Sequence, residues 1–375
     1  MSCIIQGANA SAETPGLKPF IGRNFENRGL CCPAAPWRSL YNRDAFHNIP
    51  RPTSGFRREF EPAVRAANNR MAATMKLTPN KTSMGVRIDD IDLSRPVSQP
   101  EFATIFAALG KYGVLWFPQQ RLDARALKAF SERFGSLQGS PTGTYCEPDV
   151  PEVMILSNIV EDGKPIGLAD AGQDWHTDMS YNKLVGFTNV LYGINIPHRD
   201  GQPLGNTVFA DMCAAYDDLS PALKSRLANA TATHDFNKFW EEMRRRPGST
   251  RPPLTAEQRA ARPPSVHPIF LTHPITGLKV LYANPGYTER INELDEAESD
   301  RVLQELFRHQ LQPKYQYAHR WSEGDVLMWD HIGTLHNAIP DYRPDEIRLI
   351  KRCQVLADRV FDPAFVRENL ALAAI

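Results

Sequence analysis

A chain of 375 residues, 42% of them apolar and 23% charged, can bury one large core or two small ones. Lys and Arg balance Asp and Glu at 43 each, and the resulting zero net charge argues against nucleic acid as a partner. No run of about eighteen apolar residues offers a membrane span, and six Cys without C-x-x-C spacing read as reduced thiols of a cytoplasmic protein.

The balance hides an asymmetry, because residues 1–70 hold ten Lys or Arg against five Asp or Glu. Residues 1–75 are rich in Pro, Gly, Asn and Arg, lack a sustained helical or strand period, and are read as a disordered extension. An acid-poor, Arg-rich leader is compatible with a transit-like segment or a regulatory tail. The favoured alternative is an upstream start included in the reading frame, since regular patterning begins only after Met71 and Met75.

From Thr78 the pattern sharpens. Val86, Ile88, Ile91 and Leu93 give short apolar alternations, Phe102, Ile105, Phe106 and Leu109 recur at helical spacing, and Gly113–Phe117 has the length and content of a buried strand. Asp123 is placed to cap a helix that buries Leu127, Phe130 and Phe134 and stops at Gly135. The aromatics here are packing residues.

The most informative segment is Trp175-His176-Thr177-Asp178. Side chains two apart on an extended strand share a side, so His176 and Asp178 can reach one ion. With a distant His336, 158 residues after Asp178, they would make two imidazoles and one carboxylate on a shared rim. That set leaves half an octahedron open, as non-heme Fe(II) oxygenases require. A second His-x-Asp, His198-Arg199-Asp200, lies between Pro197 and Gly201 and reads as a solvated turn.

Further strands are expected at Phe187–Ile196, Thr207–Ala210, Pro268–Thr272, Lys279–Ala283, Asp325–Trp329 and Arg348–Val355, with helices at Ser220–Ala228 and Glu296–Gln310. Many short strands with interspersed helices suit a β-rich α+β fold, a double-sheet jelly roll flanked by helices. The stretch 235–268 differs in texture, with Arg244-Arg245-Arg246, two Pro pairs and one short helix near Ala256–Arg262. It reads as a lid-like insert whose arginines form a solvated charge run rather than an anion site. Residues 359–375 are read as a C-terminal tail.

Over residues 76–358 the chain resembles the taurine / chlorophenoxyacetate family of Fe(II)- and 2-oxoglutarate-dependent dioxygenases. The likeness runs through Leu77-Thr78-Pro79, Gly85 to Leu93, Trp116-Phe117-Pro118-Gln119-Gln120, Phe130 to Gly135, Trp175 to Asp178, Thr272-His273-Pro274, Trp329-Asp330, His336-Asn337-Ala338 and Asp341-Tyr342. It implies a double-stranded β-helix with the metal inside its mouth. It also implies Fe(II) held by His176, Asp178 and His336, with 2-oxoglutarate and O2 as co-substrates. The distal carboxylate of 2-oxoglutarate would take Arg348 and the Thr207 hydroxyl. Arg352, four residues on and facing the same side, would meet either the near carboxylate of 2-oxoglutarate or an anionic group of the substrate. Arg343, in the turn before Arg348, is the rival for the distal position.

Departures from the taurine enzymes bear on substrate. Where those have a His and a Tyr after Arg-Phe-Gly this chain has Ser140 and Gly143, and where they have an Asn four before the first metal His it has Gly172. A small, anionic organic substrate other than taurine is therefore expected, hydroxylated as 2-oxoglutarate is decarboxylated to succinate. The retained carboxylate of Asp178 argues against halogenation. A jelly-roll binding protein without turnover is the competing reading, and the sequence leaves a homo-oligomer open.

Overall fold

The computed structural model describes residues 75–139, 144–246, 249 and 251–375. The N-terminal extension, Ser140, Gly143, Cys3, Cys31 and Cys32 lie outside these residues.

The architecture is sheet-rich with helices. A nine-stranded sheet runs in the order Lys76–Pro79, Val86–Asp89, Val114–Phe117, Val326–Asp330, Gly186–Asn195, Leu349–Leu356, Val150–Ser157, Cys146–Glu147, with Leu137–Gln138 added on Leu349–Leu356. A three-stranded sheet places Thr207–Asp211 between Gln316–His319 and Thr334–Ala338. Strand periodicity divides the large sheet into two faces. Leu115, Phe117, Val190, Val326, Met328, Cys353 and Val355 turn to one side, where they meet Phe102, Phe106 and Phe130 from the two N-terminal helices and Phe134 from the turn after the second. Val114, Leu191, Leu327, Trp329 and Ile350 turn to the other and share an apolar filling with Phe209 of the small sheet.

The first helix, Gln99–Tyr112, starts at a capping box in which Ser98 and Glu101 satisfy each other's backbone, and Asp123 caps Ala124–Ser131 through Ala126 N. The last residues hold a further helix, Pro363–Leu372, whose Phe365 meets Phe106 edge-on at 5.4 Å, so this stretch packs on the core. The insert is more structured than its composition suggests. Besides the expected short helix, found at Ala256–Ala260, it contains Phe236–Arg244 and begins on a second three-stranded sheet with Thr231–His234 at its centre. Among the described residues no helix is long and apolar enough to cross a membrane, and Cys146, Cys213 and Cys353 are free thiols.

Candidate metal centre

His176 and His336 are joined by two reciprocal backbone hydrogen bonds, His176 N to His336 O at 3.0 Å and His336 N to His176 O at 2.8 Å. This one-residue antiparallel bridge attaches the His-x-Asp segment to Thr334–Ala338, which itself pairs with Thr207–Asp211 with His336 opposite Phe209. The fold thus closes the 158-residue gap. One ligand atom from each of His176, Asp178 and His336 lies within 4.8 Å of the others, all three residues being buried.

The backbone around the ligands is unusual. Asp174 (φ 70°) and Met179 (φ 61°) both adopt left-handed conformations that are costly away from glycine. The bend at Asp174 brings its carbonyl to His176 Nδ1 at 2.7 Å. A carbonyl only accepts, so Nδ1 carries the proton and Nε2 keeps its lone pair. That lone pair faces Asp178 Oδ1 at 3.3 Å, and His336 Nε2 lies 3.9 Å from Oδ2. Acceptors facing a carboxylate at these distances are the arrangement that a shared cation resolves, so the donor set fits a divalent metal. Burial pushes the His336 imidazole well below its ordinary value and keeps it neutral, as a ligand must be. Burial also works against the charge of Asp178, but the Arg352 guanidinium beside it helps hold the carboxyl well below the usual range.

The turn leading to His336 is braced by a buried pair. His273 Nε2 lies 2.8 Å from Asp330 Oδ2, and Asp330 also accepts from Ile332 N and Gly333 N.

The sequence model of the taurine catabolism dioxygenase TauD, TfdA family matches residues 74–354. The chain belongs to this family. It is 33% identical over 294 residues to pentalenolactone F synthase of Streptomyces avermitilis, covering 76% of this chain and 93% of that one. It is 32% identical over 261 residues to the alpha-ketoglutarate-dependent 2,4-dichlorophenoxyacetate dioxygenase of Burkholderia sp. (strain RASC), covering 67% and 84%. Among solved structures, AAD-2 in complex with Mn(II) and N-oxalylglycine superposes with a TM-score of 0.63 at 25% identity over 76% of this chain and 97% of that one. The protein is accordingly an oxidoreductase that uses Fe(II), 2-oxoglutarate and O2.

The remaining predicted residues fall in two places. Thr207 is buried, and its hydroxyl oxygen accepts from Trp321 Nε1 at 3.1 Å, which leaves the hydroxyl proton free to donate. Arg348 is buried just before its strand, which begins at Leu349 rather than at Arg348 as the sequence pattern suggested, because Arg348 N bonds Asn158 Oδ1 instead. Arg348 Nη2 donates to Gly205 O at 3.3 Å, while Nε has no partner among the described residues, and burial lowers the guanidinium from its ordinary value. Gly205 (φ +70°) permits this approach, since a Cβ there would lie 2.7 Å from Arg348 Nε. Arg343 is exposed on the turn. Arg352 lies beside the metal ligands, with Nη1 3.5 Å from Asp178 Oδ2, Nη2 3.3 Å from Met154 Sδ and Nε without a partner among the described residues.

His198 stands apart. It is exposed at a hairpin whose turn is Asp200 (φ 51°) and Gly201 (φ 73°), with its Nδ1 2.8 Å from Ile196 O.

The insert reaches the centre through residues that its polar texture concealed. Phe236, Phe239 and Met243 recur at helical spacing on Phe236–Arg244, and together with Tyr181 and Tyr287 they form a separate apolar cluster. Phe239 lies 5.2 Å and Tyr287 5.9 Å from the His176 ring. Gly286 makes room, because a Cβ there would meet His176 Cβ at 2.8 Å. The arginines of the insert are not a free charge run. Arg244 pairs with Glu241, Arg246 with Asp174, and Arg251 grips Asp170 with two 2.8 Å bonds. The last two fasten the insert to the loop that leads into His176.

Proposed function

We propose that His176, Asp178 and His336 hold Fe(II) at the mouth of a double-stranded β-helix, and that the protein hydroxylates a small organic molecule with an apolar body and an anionic group. The observation that carries this reading is the meeting of the three buried ligand atoms within 4.8 Å. Three protein ligands leave three of six positions for co-substrate and O2. When bound, the metal supplies the Lewis-acid and electron-transfer chemistry that couples O2 to 2-oxoglutarate decarboxylation and substrate oxidation.

The protein's own residues do the binding and orienting. Arg348 carries a permanent cation in a buried position, with the Tyr342 ring 5.7 Å from its guanidinium and, among the described residues, no ion pair, so a carboxylate from outside would complete it. Thr207, two residues beyond the Gly205 carbonyl that Arg348 touches, donates its hydroxyl proton to the same distal carboxylate of 2-oxoglutarate. Phe239 and Tyr287 offer an apolar wall beside His176, and Arg352 offers its Nε, unpaired among the described residues, to an anionic group on the substrate. The named substrates of relatives include 2,4-dichlorophenoxyacetate and (S)-phenoxypropionate, which combine a ring with a carboxylate. Free thiols and a redox-sensitive metal suit a cytoplasmic setting.

The test is a panel of ring-bearing carboxylates, with uncharged amide analogues, scored by succinate release above the level without substrate. Stimulation by the acids and not by the amides supports the reading. Stimulation by taurine alone would overturn it.

A further inference from the structure

The Asp178 carboxylate is loaded unevenly. Its Oδ2 receives Asn189 Nδ2 at 2.7 Å, Gln354 Nε2 at 3.2 Å and Arg352 Nη1 at 3.5 Å, with His336 Nε2 farther off at 3.9 Å, whereas its Oδ1 has His176 Nε2 at 3.3 Å. Asn189 and Gln354 are Cα partners on neighbouring strands, Gly186–Asn195 and Leu349–Leu356, and both are buried. Two amides in that position could bond each other across the sheet. Each instead gives an N–H to the same carboxylate oxygen, and Asn189 Oδ1 is left without a partner among the described residues. A buried, unpaired acceptor is costly, so the orientation is held by what the Nδ2 contact achieves.

We propose that Asn189 and Gln354 are positioning residues that occupy the lone pairs of Asp178 Oδ2 and present Oδ1 alone to the metal. A carboxylate with both oxygens free can chelate and take two of six coordination positions. One whose second oxygen is filled by amide donors takes one, and the positions needed by 2-oxoglutarate and O2 stay open. The inference rests on the metal-site reading above and extends it from the ligands to the groups that set how one of them binds.

The experiment is an anaerobic Co(II) titration of the full chain without 2-oxoglutarate, followed by the visible ligand-field bands, for wild type, Asn189→Leu, Gln354→Met, the double variant and His336→Ala. Leu and Met keep side-chain bulk and remove the donors. The thermal transition of each apoprotein is recorded first. The expected result is a rise of about 10- to 100-fold in the Co(II) dissociation constant, with altered bands. Wild-type affinity and wild-type bands in both single variants would overturn the proposal. Should Asn189→Leu lose the fold, Gln354→Met on the neighbouring strand decides the matter by the same two readouts. Wild type that binds no Co(II), or His336→Ala that binds like wild type, would instead contradict the metal-site reading itself.

Discussion

His176 and His336 exchange both backbone hydrogen bonds of a single antiparallel bridge, so two ligands 160 residues apart are fixed to each other by main chain before any metal binds. A centre held in this way should lose metal when a ligand side chain goes, not unfold. His176→Ala, Asp178→Ala and His336→Ala are each expected to abolish 2-oxoglutarate turnover while the apoprotein melts within a few degrees of wild type. His198→Ala, on an exposed hairpin, should be silent. Succinate release with bound-iron analysis checks this, and substantial turnover by His176→Ala would sink the ligand assignment.

Arg348 and Arg352 should fail differently. Removing one partner of a buried charge pair costs about 3 to 5 kcal/mol, which predicts a loss of several hundredfold or more in 2-oxoglutarate affinity for Arg348→Ala. The same change in the apoprotein removes a buried cation that has no ion-pair partner among the described residues, so the melting temperature without ligand should hold or rise. Arg352→Ala should act mainly on the substrate Michaelis constant and on coupling. Equal effects of both variants on the 2-oxoglutarate constant would remove the case for an anionic substrate.

Arg246 pairs with Asp174, whose carbonyl takes the Nδ1 proton of His176. The ion pair is partly exposed and worth at most about 1 kcal/mol to stability. Arg246→Ala should therefore leave the melting temperature nearly unchanged and lower kcat, with lysine at the same position restoring part of it. A variant with unaltered kcat would show that the insert is fastened without consequence for the ligand.

Much of this centre was legible in the sequence. The strand period that led to His176 and Asp178 is not what joins them, because His176 is a single bridge residue and Asp178 lies in a turn. Arg348 and Arg352 stood out by their four-residue spacing although Arg348 precedes its strand, and Asp123 by its place before an amphipathic run. What was missed has more than one cause. Asn189 and Gln354 sit in strands whose apolar content dominated the reading, yet a polar side chain amid such a run is itself a signal that a buried partner exists. The strand Val150–Ser157 and the helix Phe236–Arg244 were hidden by short or mixed patterns. The role of Phe239 could not be read at all, since it depends on a tertiary contact with His176.

His331, fully buried, has its imidazole pushed down to about 4 by burial. Its folded value lies below the unfolded value of about 6.5. The unfolded chain therefore binds the proton first, and stability falls as pH drops from about 6.5 to 4. The linked loss is on the order of 3 kcal/mol. His234 and His267, also lowered by burial, act in the same direction. The acid slope of apoprotein stability, measured by denaturant unfolding, should be shallower in His331→Gln, and an unchanged slope would refute the assignment.

A chain beginning at Met75 should fold and turn over normally, because the family match starts at residue 74 and the first strand at Lys76. Loss of succinate formation on truncation would show that the extension serves the enzyme.

The central claim is that a His-Asp-His metal site and a buried arginine serve one bound 2-oxoglutarate. Anaerobic addition of Fe(II) and then 2-oxoglutarate to the full chain tests it most directly. The account predicts a visible metal-to-ligand charge-transfer band that saturates at one equivalent of each, is absent in His336→Ala, and needs far more 2-oxoglutarate in Arg348→Ala. A wild-type protein that develops no band, or an Arg348→Ala variant that saturates like wild type, would contradict it.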